Sequence, residues 1–366
     1  RMSTLKQSMG SVSALMISVA VLLMGNGLLG TLVPVRANME AFTGIDIGIL
    51  GSCYFVGFTL GCLTGPAVIA RVGHIRTYLA FIAVASIAAL IHAIVADTWI
   101  WWILRAMTGF SFSVLFIVIE SWLNERSDNT TRGAVLSIYM VINLTVLMLG
   151  QLLLTLDDPG SFALFSIAAI LFSLAALPIA MTSAQSPDPI PLVHPHLIRL
   201  YQLSPVGSVG CFAVGLVNGA FWSIGPIFAV DRGMGTQGIA FFMSAIILGG
   251  AIGQWPLGRL SDAFDRRFVI LTASIGASFS GLALANVTSS DHLAVYGFGF
   301  LFGMFALPLY ALTVAHANDL TAPKDYVETS SSLLLLLGIG SSIGPTLSSM
   351  LDSLTKGNAL FIYTAA

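Results

Sequence analysis

Charge is what this sequence has least of. Asp, Glu, Lys and Arg make up only 9% of its 366 residues, against roughly 25% in an ordinary soluble domain. Fifteen basic and 17 acidic side chains cannot clothe a water-soluble protein of this length. The formal net charge of −2 offers no basic field for nucleic acid. Cysteine is nearly as scarce. Cys53, Cys62 and Cys211 all sit in apolar runs, which suits neither a disulfide framework nor a zinc site. There is no Walker loop, no HExxH and no metal-spaced Cys pair. The 13 Met include no i,i+4 pair and none stands four residues from a His, so a soft copper-type site lacks its thioethers. No Ser-His-Asp arrangement stands out, so the sequence points away from an enzyme, a cofactor and a metal.

Apolar residues fill the space that charge leaves. They make up 56% of the chain, with 36 Gly among them, and the mean hydropathy is +0.91. A membrane-crossing helix needs about 20 mostly apolar residues. Such runs occur at about 12–34, 46–70, 77–96, 99–122, 133–155, 161–182, 206–230, 237–260, 268–288, 293–317 and 326–350. A twelfth begins near Ala359 and the sequence stops at Ala366. Eight residues rise only about 12 Å, so the sequence is expected to end inside that crossing. The first run is too long and too weakly flanked for a cleaved signal peptide.

Lys and Arg set the orientation. With the N-terminus inside, the inner segments hold Arg1, Lys6, Arg71, Arg76, Arg126, Arg132, Arg199, Arg259, Arg266, Arg267 and Lys324, and the outer ones only Arg36, Arg232 and Lys356. That asymmetry predicts a cytoplasmic N-terminus. Trp99, Trp101 and Trp102 fall at an outer boundary, where aromatic anchors belong.

The chain also repeats itself. A shift of 192 residues lays Asn26 on Asn218, Gly27 on Gly219, Thr31 on Ser223 and Pro34 on Pro226. It also pairs Ser52 with Ser244, Gly57 with Gly249, Gly61 with Gly253, and Arg132 with Lys324. Six crossings per half give both halves the same topology, the build of a large transporter class whose site lies at the midplane between halves. The predicted organisation is a six-helix bundle over residues 1–183, a Pro-rich inner linker over 184–204, and a second, incomplete six-helix bundle over 205–366.

One loop carries a recognisable signature. Gly258-Arg259-Leu260-Ser261-Asp262-Ala263-Phe264-Asp265-Arg266-Arg267 resembles the G-x-L-x-D-x-x-G-R-R loop of the major facilitator superfamily, with Asp265 where the family usually has Gly. The corresponding loop after the second crossing keeps Arg71, Gly73 and Arg76 but has Ala70 in place of the acid. Arg105-x3-Gly109-x3-Ser113 resembles the family's second motif. Gly30-Thr31-Leu32-Val33-Pro34, Glu120-Ser121-Trp122-Leu123-Asn124, Gly253-Gln254-Trp255-Pro256-Leu257-Gly258 and Gly344-Pro345 are similar to the YcaD-like branch. The resemblance implies an all-α integral membrane protein with the 12-span major facilitator fold, two parallel six-helix bundles. It further implies a monomer in a bacterial inner (plasma) membrane that moves a small molecule by alternating access, with proton coupling.

Two sets of residues are candidates. The first is a latch. Asp262 stands four residues before Arg266, and charges beside a moving helix can pair in one state and part in another; Arg267 is a second possible partner. Glu120 with Arg71 or Arg76 is the matching latch of the first half. The second set reads cargo: Asn26, Arg105, Asn143, Asn218, Trp222 and Tyr310. The family resemblance turns the first and fourth crossings of each half toward the path. Tyr54, Tyr139 and Gln151 are further polar positions at membrane depth. Ionisable groups in a crossing are costly and functional by default, and Arg105, Glu120, Glu328, His92 and His316 are the ones present. Arg105 either pairs with an anionic or strongly accepting group of the cargo, or bonds backbone carbonyls, or serves proton movement. No Asp or Glu stands at mid-membrane, so a coupling proton has no obvious carrier. Export of an amphipathic compound, or a non-transporting scaffold on the same fold, are the competing functions.

Overall fold

The computed structural model describes residues 2–126, 132–181, 195–287, 291–322, 325–355 and 359–365. The linker stretch 184–194, Lys324 and Lys356 lie outside the described residues. Among the described residues every regular element is helical. The helices are α1 (Met2–Met39), α2 (Gly44–Val72), α3 (His74–Ile94), α4 (Thr98–Arg126), α5 (Arg132–Leu153), α6 (Ala163–Ala180), α7 (Leu197–Leu203), α8 (Pro205–Asp231), α9 (Thr236–Ala263), α10 (Arg266–Asn286), α11 (His292–Ala306), α12 (Leu309–Asp319), α13 (Tyr326–Thr355) and α14 (Ala359–Ala365). Among the described residues, eleven helical stretches are long and apolar enough to span a bilayer. They coincide with the eleven read from the sequence.

The scarce acids go to helix starts. Thr43 and Asp46 form a reciprocal cap at the start of α2: the Asp46 amide donates to Thr43 Oγ1 at 3.1 Å, and the Thr43 amide to Asp46 Oδ2 at 3.0 Å. Asp97 accepts from the Ile100 amide before α4, and Asp291 from the Ala294 amide before α11. Ser204 caps α8, with Pro205 in the first turn where its missing N–H costs nothing. A carboxylate at these ends also faces the positive pole of the helix.

The tenth crossing differs from the sequence expectation of one continuous helix. It is divided at Leu307 and Pro308 into α11 and α12. Pro308 has no N–H to bond back one turn, so the ladder is interrupted there.

Two compact units divide the chain: Arg1–Leu32 with Gly57–Leu192, and Val33–Val56 with Val193–Ala366. In unit 1, α3 packs against α4 and α6. Its centre includes Ser18 bonded to the Tyr78 hydroxyl at 2.7 Å, and Phe112 edge-on to Phe172 at 5.4 Å. In unit 2, α8 packs along α13, and α9 along α11. Phe361 of α14 stands edge-on to Phe228, Phe242 and Phe302, with centroids 4.7, 6.4 and 5.2 Å away.

The 192-residue repeat has a structural counterpart in one contact. In unit 1, a Cβ placed on Gly57 or Gly61 would collide with the main chain of Ala106 or Phe110 on α4. In unit 2, Gly249 and Gly253 would collide in the same way with the main chain of Phe300 and Met304 on α11. Only hydrogen at these four positions lets the backbones approach, as small residues do between membrane helices.

Candidate functional site

The signature loop is built on the end of α9 and the start of α10. Asp265, the residue that departs from the family pattern, is the N-cap of α10: its carboxylate accepts from the Arg267 amide at 2.9 Å. Asp there replaces the turn-forming role of Gly with a side-chain cap. Arg266 is the hub. Its Nη1 lies 3.2 Å from Asp262 and donates to Ser261 Oγ at 2.9 Å. Its Nε donates to Asp319, at the end of α12, at 2.5 Å, and Nη2 completes the fork at 3.5 Å. A forked guanidinium–carboxylate contact is the stronger geometry, so Asp319 is the principal partner and Asp262 the lesser. Arg267 is exposed and, among the described residues, takes no part in an ion pair. Its predicted pairing with Asp262 is therefore absent, because Asp265 fixes its amide while its side chain points outward. Asp319 was missed in the sequence because nothing in the spacing links residues 266 and 319.

The matching latch of the first half is not formed in this structure. Arg71 is exposed, and among the described residues no ion pair joins it to Glu120. Glu120 instead stands close enough to Cys62 on α2 and Tyr139 on α5 to interact electrostatically with both. Asn143, one turn beyond Tyr139, is the hydrogen-bond partner of the Tyr139 hydroxyl.

The remaining candidates separate by environment. In unit 1, Asn26 and Asn143 are half-buried. Arg105 is only 7% exposed, and it lies within electrostatic range of His92, itself buried between Trp101 and Phe165. Gln151 is a strap and not a lining residue: its amide donates to the Gly27 carbonyl at 3.0 Å and its oxygen accepts from Thr31. Of Trp99, Trp101 and Trp102, Trp99 is exposed, whereas Trp101 is fully buried and donates to the Val95 carbonyl at 2.5 Å.

In unit 2, Asn218, Trp222 and Tyr310 are half-buried. Trp222 lies 5.1 Å from Phe221, centroid to centroid. Tyr310 packs on the apolar cluster of Leu200, Cys211, Ala317 and Leu333. Glu328 is drawn into a surface network: Arg199 reaches it at 3.1 Å and Asp325 at 3.1 Å, with His196 3.3 Å from Glu328. Among the described residues no group of three His, Cys, Asp or Glu side chains is placed to hold a metal.

The helices are those of a membrane protein, with a charged hub at the loop between α9 and α10. The family model described as Major Facilitator Superfamily matches residues 15–197 and 207–366. The chain belongs to the major facilitator superfamily. It is 28% identical over 362 residues to an Escherichia coli protein described as "Uncharacterized MFS-type transporter YcaD", covering 97% of this chain and 92% of that one. The Shigella flexneri counterpart matches to the same extent. The fold is shared with a mutant form of the nucleoside transporter NupG, at a TM-score of 0.80 and 13% identity, covering 96% of each chain. It is shared too with a bacterial homologue of the lysosomal transporter Spinster, in an inward-facing unoccupied conformation, at 0.79 and 15%, covering 95% of this chain and 83% of that one. This superfamily member is thus a multi-pass secondary transporter of the lipid bilayer with a small-molecule substrate, and not an enzyme.

Proposed function

We propose that this transporter carries a small organic solute across a bacterial inner membrane by alternating access, driven by proton movement, with its N-terminus in the cytoplasm. The observation that carries the reading is the hub at Arg266. A single cation joins the loop after α9 to the end of α12 through Asp319 and Asp262, and such a junction can be made in one state and released in another. We assign Asn26 and Asn143 in unit 1, and Asn218, Trp222 and Tyr310 in unit 2, to the cargo. All five are half-buried, so none is sealed in a packed core. The 1–183 and 205–366 bundles act as the two moving bodies, and the protein works as a monomer.

The test is uptake into proteoliposomes. A panel of metabolites is offered under an imposed pH gradient. Uptake that depends on the protein and follows the gradient is expected. Uptake equal to that of empty vesicles across the panel, with the protein correctly inserted, favours the scaffold function instead.

A further inference from the structure

One cation of unit 2 takes no part in the hub. On α9 the exposed side chains of Phe241, Leu248, Ile252, Trp255 and Arg259 follow at steps of seven, four, three and four, so they share one face of the helix. The first four are large and apolar, as a face turned to lipid tails requires. Arg259 ends the stripe. Its guanidinium carbon lies over the Trp255 ring, 4.2 Å from the centroid, and Trp255 is itself 66% exposed.

The stripe has a definite depth. α9 has 28 residues, about 42 Å at the rise of a helix. A bilayer with its headgroups is roughly 40–45 Å thick, of which about 30 Å is hydrocarbon. Arg259 precedes the helix end at Ala263 by about 6 Å of rise. That is the level of the lipid phosphates. Trp255 stands about 6 Å deeper, where the acyl chains begin and where tryptophan is favoured.

The neighbouring acids are already engaged. Asp262 lies 3.2 Å from Arg266, and Asp265 accepts from the Arg267 amide at 2.9 Å. The Arg259 guanidinium has no ion-pair or hydrogen-bond partner among the described residues. The Trp255 ring attracts the cation and steadies it but uses up none of its planar fork of donors. Such a fork fits two oxygens of one phosphodiester. A phosphatidylcholine phosphate is balanced by its own ammonium, whereas that of an anionic lipid is left to pair with the protein.

We propose that Trp255 and Arg259 form a binding site for one anionic phospholipid, the phosphodiester on the guanidinium and an acyl chain along Trp255 and Ile252. The site is independent of the cargo and of the coupling ion.

The probe is dioleoylphosphatidylglycerol, added to the whole protein in mild detergent, with dioleoylphosphatidylcholine as the comparison and native mass spectrometry as the count of bound lipid. The first phosphatidylglycerol should bind about tenfold more tightly than phosphatidylcholine, the margin expected of a charge-assisted fork. Arg259→Gln should remove that preference, and Arg259→Lys should recover only part of it, since the fork is lost. Trp255→Leu keeps an apolar surface without the ring and should weaken binding about threefold. Arg267→Gln removes an exposed charge at the start of the next helix and should leave the affinity unaltered. A phosphatidylglycerol with a photoreactive group at the top of one acyl chain should label residues 252–255 of the unaltered protein, a readout that needs no variant to fold. Unlabelled phosphatidylglycerol should compete, and phosphatidylcholine or excess inorganic phosphate should not. Equal affinity for the two lipids, an unchanged preference in folded Arg259→Gln, or an equal loss in Arg267→Gln overturns the proposal. So does labelling confined to other helices. Displacement by inorganic phosphate overturns it in favour of a soluble anion.

Discussion

Arg266 and Asp319, 53 residues apart, are joined by a forked contact with Nε 2.5 Å from Oδ2. Asp262, four residues before Arg266 and on the other side of the loop between α9 and α10, lies farther off at 3.2 Å. Exposure ranks the two in the same order: the Asp319 side chain is 53% exposed and that of Asp262 72%.

Removing Asp319 should therefore matter more than removing Asp262. Screening by water limits each pair to at most about 1 kcal/mol of stability. The larger effect is expected on turnover, because in the proposed cycle the pair parts and reforms. Asp319→Asn should slow uptake about tenfold with little change in cargo binding, and Asp262→Asn less. Uptake rates and binding isotherms on the same preparations check this. Lost binding with normal turnover of bound cargo would remove the latch role.

The glycine contacts give a sharper expectation. Gly249→Ala and Gly253→Ala force a methyl into the main chain of α11, and Gly57→Ala and Gly61→Ala do the same against α4. Overpacking of this kind costs about 1–3 kcal/mol or more. Gly258→Ala and Gly297→Ala, where a Cβ meets nothing within 4 Å, should be neutral. Thermal unfolding in detergent separates the two groups.

Arg232 should prove structural. It is 8% exposed and donates to the carbonyls of Leu284 and Ala285 at 3.2 and 3.0 Å, and to that of Val287. Its guanidinium also lies 4.7 Å over the Phe228 ring. It satisfies the negative end of α10. Arg232→Met, which strands those acceptors, should cost about 2 kcal/mol or more. Arg232→Lys should recover only part, since the planar fork is lost. Unfolding midpoints of the purified variants are the measurement.

Orientation is tested chemically. Ile198 on α7 is 78% exposed. A single cysteine there, with Cys53, Cys62 and Cys211 replaced, should resist an impermeant thiol reagent added outside intact cells and react after the membrane is opened. Ready labelling from outside would reverse the topology.

The crossings were legible because each is a long apolar run, and the repeat because Gly57, Gly61, Gly249 and Gly253 have no substitute where backbones touch. Partnerships across the chain were not. Arg232 reads as one more outer charge in the tally of Lys and Arg, yet it is consumed by the carbonyls of α10. Gln151 reads as a lining residue at membrane depth, yet its amide is spent on α1. Glu120 and Arg71 have complementary charge and plausible depth, but the direction of a side chain around its helix is set by packing. Here α4 packs on α2 through the very stripe that carries Glu120 past Cys62.

The glycine contacts also have a mechanical consequence. Peptide groups have no rotamers, so a joint made of them behaves as a bearing without play, keeping its spacing as the surrounding lipid thickens or thins. Any bending that a working cycle demands of α9 and its neighbour must then be taken up away from Gly249 and Gly253. The interrupted ladder at Leu307 and Pro308, immediately beyond that bearing, is where the tenth crossing has fewest main-chain bonds to resist such bending.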